Sequence, residues 1–318
     1  MSSLFDLKLI VLSGKGGVGR TTVGAALARA AADAGKRVLL AATTTPDRLG
    51  RLFGRATPVG TEIVSVGAGI DAVNMTPESA LHEYGLLVLR SELVTRALFE
   101  NRAARGFLGA VPGLDAYAVL GKAWYHTTEI ANGRPRYDLV ILDGPASGHA
   151  ALMLRIPGAI LAAMPKGPLS GDARALQDLL HDPARAALLI VTLAEELPAR
   201  ESVELARTVR QSLEMPLGPL VVNALPGAEI AAPPLAALLS RLGATEPAPA
   251  GGHDPALWAT LRLAAAAAAQ RRLADTVLTG LRQDPGLPII ALPRLPSVDL
   301  GPPEIAELAS YFAPQRAA

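Results

Sequence analysis

The feature that most constrains this chain is a glycine-rich loop between an apolar run and an alanine-rich segment. The loop is Gly14-Lys15-Gly16-Gly17-Val18-Gly19-Arg20-Thr21-Thr22, and the apolar run before it is Leu7–Leu12. The segment Thr22–Ala34 predicts a helix closed by Gly35, and Val38–Ala42 predicts a second buried strand. Strand, glycine-rich turn, helix and strand form a βαβ unit, and such units build parallel sheets.

This context is the one that a phosphate-binding loop requires. Glycines let successive amide N–H groups point toward an anion, and the helix N-terminus adds roughly half a positive charge. The Thr21 hydroxyl is placed to ligate Mg²⁺. The loop therefore predicts phosphate binding by Gly14, Lys15, Gly16, Gly17, Val18, Gly19, Arg20, Thr21 and Thr22, although a glycine-rich turn without a ligand is the alternative.

One loop position departs from the usual pattern, because Arg20 stands where a lysine is expected after Gly19. Arginine keeps the positive charge, but its guanidinium is a longer, planar fork and does not simply replace a compact ammonium on the β- and γ-phosphates. We therefore expect nucleotide binding to survive and turnover to be weakened.

A second motif, Asp143-Gly144-Pro145-Ala146-Ser147-Gly148-His149, follows a strand predicted at Tyr137–Leu142. Open α/β sheets bind ligands at the carboxyl ends of their strands. Asp143 is suited to hold Mg²⁺ through water, or it could only cap the turn. Gly148 could let the backbone approach a γ-phosphate, and His149 could be either a switch residue or a capping or packing histidine.

The remaining pattern predicts an α/β fold of the P-loop NTPase type, with a doubly wound, mostly parallel sheet and helices on both faces. We expect one domain over residues 1–318, with a mainly helical insertion at about 77–131 that begins at the N-cap Thr76. Pro233–Pro255 is expected to form loop and short helix, and Ala264–Ala269 a helix. Further strands are predicted at Ala187–Leu193, Leu217–Val222 and Ile289–Leu292, and helices at Glu195–Leu213 and from about Pro303.

Composition excludes several classes of function. A net charge of +1 over 318 residues argues against nucleic acid or an anionic membrane as the main partner. With no cysteine, the chain has no disulfide, thiolate zinc site or cysteine nucleophile.

Met1–Asp6 lacks the features of a signal peptide, and the apolar stretches are shorter than the roughly 20 residues that cross a bilayer. We therefore expect a cytoplasmic location.

The string Lys15-Gly16-Gly17-Val18-Gly19 resembles the deviant P-loop of the MinD/ParA/ArsA group. In that group the early lysine reaches across a dimer to the partner's ATP. The resemblance therefore implies ATP and Mg²⁺ as ligands, a dimer with nucleotide at its interface, and a catalytic role for Lys15, beside Arg20 and Asp143. The alternative for Lys15 is a solvated loop lysine.

Other segments are similar to the ArsA family of arsenical-pump-driving and tail-anchored-protein-targeting ATPases. The stretch 143–157 is similar to its switch II, and Val191–Glu201 to a strand followed by a glutamate-led helix. Pro219–Asn223 resembles the strand whose terminal asparagine contacts adenine, and Leu292–Pro296 the late adenine-side loop. The resemblance covers about residues 7–308 and is closest to the bacterial single-domain branch.

The family's switch I carries an aspartate that activates the attacking water, but Thr45 stands at that position here. A threonine hydroxyl is a poor general base near neutral pH. Asp47 could substitute if the register shifted, but a surface turn is the favoured interpretation. Thr45 and Arg20 together predict retained binding with weakened hydrolysis, and the absence of cysteine argues against arsenite export through thiolates.

Two functions remain open. The leading hypothesis is an ATP-binding, dimeric ArsA-like ATPase that couples its nucleotide state to dimer opening and to a protein client or membrane-protein partner. The alternative is a degenerate subunit that pairs with an intact paralogous ATPase, so the dimer could be a homodimer or a heterodimer. A MinD/ParA-type positioning protein is disfavoured, since the tail Pro303–Ala318 holds two glutamates and one arginine and resembles neither a basic amphipathic membrane helix nor a basic DNA-binding patch. An apolar set in the insertion could line an effector groove, although core packing is favoured: Leu81, Leu86, Leu87, Leu89, Leu93, Leu98 and Phe99.

Overall fold

An eight-stranded sheet organises the chain in the computed structural model. The structure describes residues 4–43, 46–76, 78–81, 83, 114–166, 170–227, 255–297 and 299–313. Strands of the main sheet are β1 (Leu9–Gly14), β2 (Val38–Ala42), β3 (Val64–Gly67), β4 (Ile70–Asn74), β7 (Leu139–Ala146), β8 (Ala186–Leu193), β9 (Leu220–Leu225) and β10 (Ile289–Pro293). The short strands β5 (Ile130–Ala131) and β6 (Arg134–Pro135) form a separate hairpin.

Strand order across the sheet is β10-β9-β8-β1-β7-β2-β4-β3. Only the edge pair β3–β4 is antiparallel among the described strands of this sheet. Strand β1 is central and lies between β7 and β8, so its carboxyl end is flanked by theirs. This arrangement confirms the predicted α/β fold with a mostly parallel sheet.

Helices cover both faces of the sheet. Their bounds are α1 (Arg20–Asp33), α2 (Pro46–Leu52), α3 (Leu114–Thr128), α4 (Ser147–Ala163), α5 (Ser170–His181), α6 (Glu196–Ser212), α7 (Pro255–Gln283) and α8 (Pro302–Ala309). Alternate residues of β1 enter two separate cores, with Leu9 and Val11 in one and Ile10 and Leu12 in the other. Helices α3 to α7 pack in the first core, and α1, α2 and α8 in the second.

Several element bounds differ from those predicted. Strand β7 was predicted to end at Leu142, but it continues to Ala146, because its ladder with β1 extends to the pair Gly14–Ala146. Strand β9 lies three residues later than predicted. The surface turn expected around Asp47 is helical backbone within α2. The hairpin β3–β4 and helices α4 and α5 were not predicted.

Part of the predicted insertion is described. Thr76 caps the turn at its start, since its Oγ1 accepts a bond from the Ser79 backbone N–H at 3.1 Å. Helix α3 forms its later part. Residues 84–113 of the insertion, and most of the loop predicted at Pro233–Pro255, lie outside the described residues. None of the described helices is long and apolar enough to cross a membrane.

Candidate functional site

The glycine-rich loop joins the carboxyl end of β1 to the N-terminus of α1. Gly17 and Gly19 have φ angles of 87° and 86°, a region that residues with a Cβ rarely adopt. Gly14 packs so closely on the Val191 carbonyl that an added Cβ would overlap it. Glycine is therefore required here by the backbone of the protein itself, independently of any ligand.

Asn223, near the end of β9, supports the loop from the neighbouring part of the sheet. Its Nδ2 donates to the Val18 carbonyl at 2.9 Å, and the side chain is buried. This amide also lies where a Cβ on Gly19 would be. The structure thus places Asn223 against the loop backbone, and its predicted contact with adenine stays a prediction.

A cavity of about 300 Å³ lies between the loop and the carboxyl ends of β8, β9 and β10. Several segments that were predicted separately from the sequence meet at this cavity. The lining includes Gly17, Val18, Gly19, Thr22, Arg48, Leu193, Asn223, Pro293, Arg294 and Leu295.

Thr21 and Asp143 meet at the start of α1. The Thr21 hydroxyl donates to Asp143 Oδ2 at 2.6 Å, and Asp143 is completely buried. Its Oδ1 has no hydrogen-bond partner among the described residues. Burial raises the pKa of this carboxyl, opposed by the Thr21 bond and by the charges of Arg20 and Arg48.

These two side chains fit a magnesium ion. Mg²⁺ is usually held by one or two carboxylates together with substrate phosphates and water, so a cluster of three acidic ligands is not needed. The described residues contain no group of three or more His, Asp or Glu arranged for a metal. The unpartnered Oδ1 of Asp143 and the adjoining hydroxyl of Thr21 supply the oxygen donors that Mg²⁺ prefers.

Arg20, the first residue of α1, contacts the second motif. Its guanidinium donates to the Gly144 carbonyl at 2.7 Å. Burial lowers the pKa of this arginine, and the nearby Asp143 carboxylate partly offsets that effect. The arginine at the lysine position is therefore engaged with the protein in this structure.

Lys15 forms an ion pair with Glu201, a residue of α6. The second oxygen of Glu201 accepts a bond from the Ser147 hydroxyl at 3.4 Å, and Ser147 begins α4. Sequence reasoning did not name Glu201 or Ser147 as site residues. The two partners are 186 positions apart, so only the family-like segment ending at Glu201 could have drawn attention to it.

The other predicted residues are placed as follows. Gly148 and His149 lie exposed in the first turn of α4. Gly16 is exposed in the loop and Thr22 is buried in the first turn of α1. Thr45 lies outside the described residues. The site residues therefore remain predictions, although the structure brings Lys15, Arg20, Thr21, Asp143 and Asn223 to the same end of the sheet.

Comparison with known proteins gives a consistent family. Residues 7–167 match the family model ArsA_ATPase, described as anion-transporting ATPase. The chain is 28% identical over 228 residues to ATPase BagA of Mycobacterium tuberculosis, covering 70% of this chain and 66% of that protein. It is 28% identical over 254 residues to the arsenical pump-driving ATPase of Acidiphilium multivorum, covering 72% of this chain and 42% of that protein.

A eukaryotic protein is also similar. The chain is 26% identical over 164 residues to ATPase GET3 of Kluyveromyces lactis, covering 49% of this chain and 47% of that protein. The chain thus spans less than two thirds of the length of each of these relatives.

Proposed function

Because the chain belongs to the ArsA family of anion-transporting ATPases, we propose that it binds Mg-ATP beside β1 and works as a nucleotide-dependent dimeric switch. The observation that carries the proposal is the pairing of Thr21 with Asp143, a hydroxyl and a buried carboxylate beside a phosphate-type loop. A buried carboxylate with one unpartnered oxygen is costly in a fold unless a ligand uses it.

In this proposal, each group of site residues binds a different part of Mg-ATP. Loop amides and the N-terminus of α1 hold the phosphates, and the cavity beside Asn223 receives the base. Thr21 and Asp143 would hold Mg²⁺, which neutralises phosphate charge when bound. Asn223 keeps the loop in shape through the Val18 carbonyl.

The switch depends on Lys15. In the protomer Lys15 is neutralised by Glu201, so reaching a partner's nucleotide requires that this ion pair open. Glu201 also contacts Ser147 at the start of α4, which connects release of the lysine to the second phosphate-side motif. We propose a cytoplasmic protein that passes this change to a client or membrane-protein partner through the insertion at about 77–131.

A second candidate is a degenerate subunit that binds nucleotide and pairs with an intact paralogous ATPase. The engagement of Arg20 with the Gly144 carbonyl favours it, because the guanidinium must first break this bond before it can contact the γ-phosphate. In that case Lys15 would be donated to the partner's site while this chain turns over little nucleotide.

Two measurements on the purified chain separate these functions. Nucleotide binding is measured by calorimetry, and phosphate release from Mg-ATP is measured at high protein concentration so that dimers form. Binding with turnover that Lys15→Ala abolishes supports a working homodimer, and binding without turnover supports the degenerate subunit. No detectable binding of Mg-ATP or Mg-ADP would overturn both.

The matched control is Lys36→Ala. Lys36 has the same exposed side-chain fraction as Lys15, 31%, and likewise forms an ion pair, but its partner is Asp6, remote from the loop. Its variant should bind and turn over nucleotide as the wild type does.

A further inference from the structure

Backbone carbonyls of the second motif are held from three directions. The carbonyls of residues 143, 144 and 145 accept side-chain bonds from Thr43 at 3.0 Å, from Arg20 at 2.7 Å and from Ser13 at 3.1 Å, in that order. The donors are Thr43 immediately after β2, Arg20 at the start of α1 and Ser13 in β1. The backbone near the end of β7 is therefore fixed at three successive residues.

The same segment is paired as strand. The β1–β7 ladder passes an irregularity after Leu12 and resumes with Gly14 opposite Ala146. Gly144 lies so close to the Leu12 carbonyl that a Cβ would be 2.9 Å from it. The segment 143–146 is thus closed against β1 at the point where the phosphate loop begins.

Arg20 differs from the other two donors. It is the charged one, and charge-assisted bonds are roughly twice as strong as neutral ones. It also belongs to the loop itself, at the N-terminus of α1 where an anion would bind. A phosphate in the loop would attract the charged guanidinium, whereas the hydroxyls of Ser13 and Thr43 carry no net charge to be attracted.

We propose that Arg20 is a positioning residue that holds segment 143–146 in its strand-paired conformation and releases it when a phosphate enters the loop. The holding role stands on the contacts of the nucleotide-free protein. The release step rests on the proposed function, since it requires nucleotide to bind.

The holding role is tested without nucleotide, by hydrogen exchange of peptides that cover residues 143–150. Arg20→Ala should exchange there about tenfold faster than the wild type, because a hydrogen bond from a charged group is lost. Arg20→Lys should show most of the same increase, since lysine is one bond shorter and lacks the planar fork. Unchanged exchange in both variants overturns the proposal.

Arg55→Ala is the matched control. Arg55 also donates from a guanidinium to a backbone carbonyl, that of Ser65 at 2.7 Å, but it lies far from the loop in sequence and in the sheet. Its variant should leave exchange at 143–150 unchanged. If Arg20→Ala fails to fold, Arg20→Lys still tests the holding role, because it keeps the charge and the aliphatic chain but loses the planar fork that reaches the carbonyl. Unchanged exchange in Arg20→Lys then overturns the proposal.

The release step is tested with Mg-ADP, which supplies a β-phosphate without a γ-phosphate. Saturating Mg-ADP should raise exchange at 143–150 of the wild type toward the level of nucleotide-free Arg20→Ala and change that variant little. Slower exchange or no change with bound Mg-ADP overturns the release step. If the wild type binds no nucleotide, the proposed function fails while the nucleotide-free result on Arg20 still stands.

Discussion

At the residue scale, Gly19 is fixed by its neighbours within the protein. Its φ of 86° and its packing on the Asn223 amide leave no room for a Cβ. Asn223 in turn donates to Val18, so a change at Gly19 disturbs the support of the whole loop. The loop is therefore shaped by the protein itself, and in the proposed function this lowers the entropic cost of binding a phosphate.

Gly19→Ala is expected to lower both stability and nucleotide affinity. The strained φ and the overlap should cost about 1–3 kcal/mol of unfolding free energy. Nucleotide affinity should fall by at least about tenfold, since loop amides are misdirected. Chemical denaturation and calorimetry measure the two effects.

Gly280→Ala serves as its control. Gly280 lies exposed in α7 with open space at the Cβ position, so alanine should stabilise the chain by about 0.5–1 kcal/mol. Equal, small effects at both positions would contradict the account of the loop.

Glu201 offers a second prediction at this scale. Glu201→Gln removes the charge that neutralises Lys15, and the pair is about one third exposed. If Lys15 contacts the nucleotide of a partner protomer, nucleotide-dependent self-association should strengthen by about fivefold, the equivalent of about 1 kcal/mol. Sedimentation velocity with Mg-ATP measures the dimer constant.

The control is Glu204→Gln on the same helix, where Glu204 pairs with Arg200 at an exposed site. It should leave association unchanged. Weaker association of Glu201→Gln would mean that Glu201 also acts in the dimer, contrary to the prediction.

At the element scale, Arg37 and Asp138 join the start of β2 to the start of β7. Arg37 donates from its side chain and its backbone N–H to Asp138, at 2.8 and 2.9 Å. The Arg37 hydrogen bond is the main cause that lowers the pKa of Asp138 to about 2, while burial acts in the opposite direction. Strands β2 and β7 are thus aligned at the end of the sheet opposite the glycine-rich loop.

The pH dependence of this pair follows from the sign of the shift. Since the folded pKa lies below the unfolded value near 4, the stabilisation is present above pH 4 and is lost as the pH falls toward 2. Asp138→Asn should therefore melt at a lower temperature than the wild type at pH 7, with a difference that shrinks below pH 4. Thermal unfolding monitored by circular dichroism across this range measures it.

Asp33→Asn, in an exposed pair within α1, is the control for that experiment. Its melting temperature should differ little from the wild type at every pH. A difference for Asp138→Asn that stays constant between pH 7 and pH 2 would contradict the assigned role of the carboxylate.

At the scale of the whole molecule, ligand binding should stabilise the complete fold, because the site joins β1, α1, β7 and β9. Mg-ADP at about 100 times its Kd should add about 2.7 kcal/mol to the unfolding free energy. In Thr21→Ala the additional gain from Mg²⁺ should disappear, since the hydroxyl beside Asp143 is lost. Thermal shift with ADP, with and without magnesium, measures this.

Thr279→Ala is the matched control, because its hydroxyl donates to the Asp275 backbone carbonyl at 2.9 Å on the exposed side of α7. It should keep the full magnesium effect. A magnesium effect that survives in Thr21→Ala would remove Thr21 from the proposed metal site.

Local pattern determined much of this protein. Four elements have a clear local signature of apolar runs, helical periodicity or turn residues, which was enough to predict them. They are the buried strand β2, the loop with its glycines, the helix after it and the strand before Asp143. The hairpin β3–β4 was missed because its strands are short and β3 is half-exposed, which leaves no clear alternation to detect. Strand β7 was predicted too short because its last residues gain their strand state from Gly14, far away in sequence.

Only the tertiary structure decided how the site residues pair. Motifs and the family resemblance predicted five site residues from the sequence: Lys15, Arg20, Thr21, Asp143 and Asn223. The sequence also predicted the parallel sheet that brings them together. It did not predict that Lys15 meets Glu201, that Arg20 meets the Gly144 carbonyl, or that Asn223 supports Val18. Such pairs form between residues more than 120 positions apart, because parallel strands carry distant segments to one edge of the sheet, and no local pattern encodes that geometry.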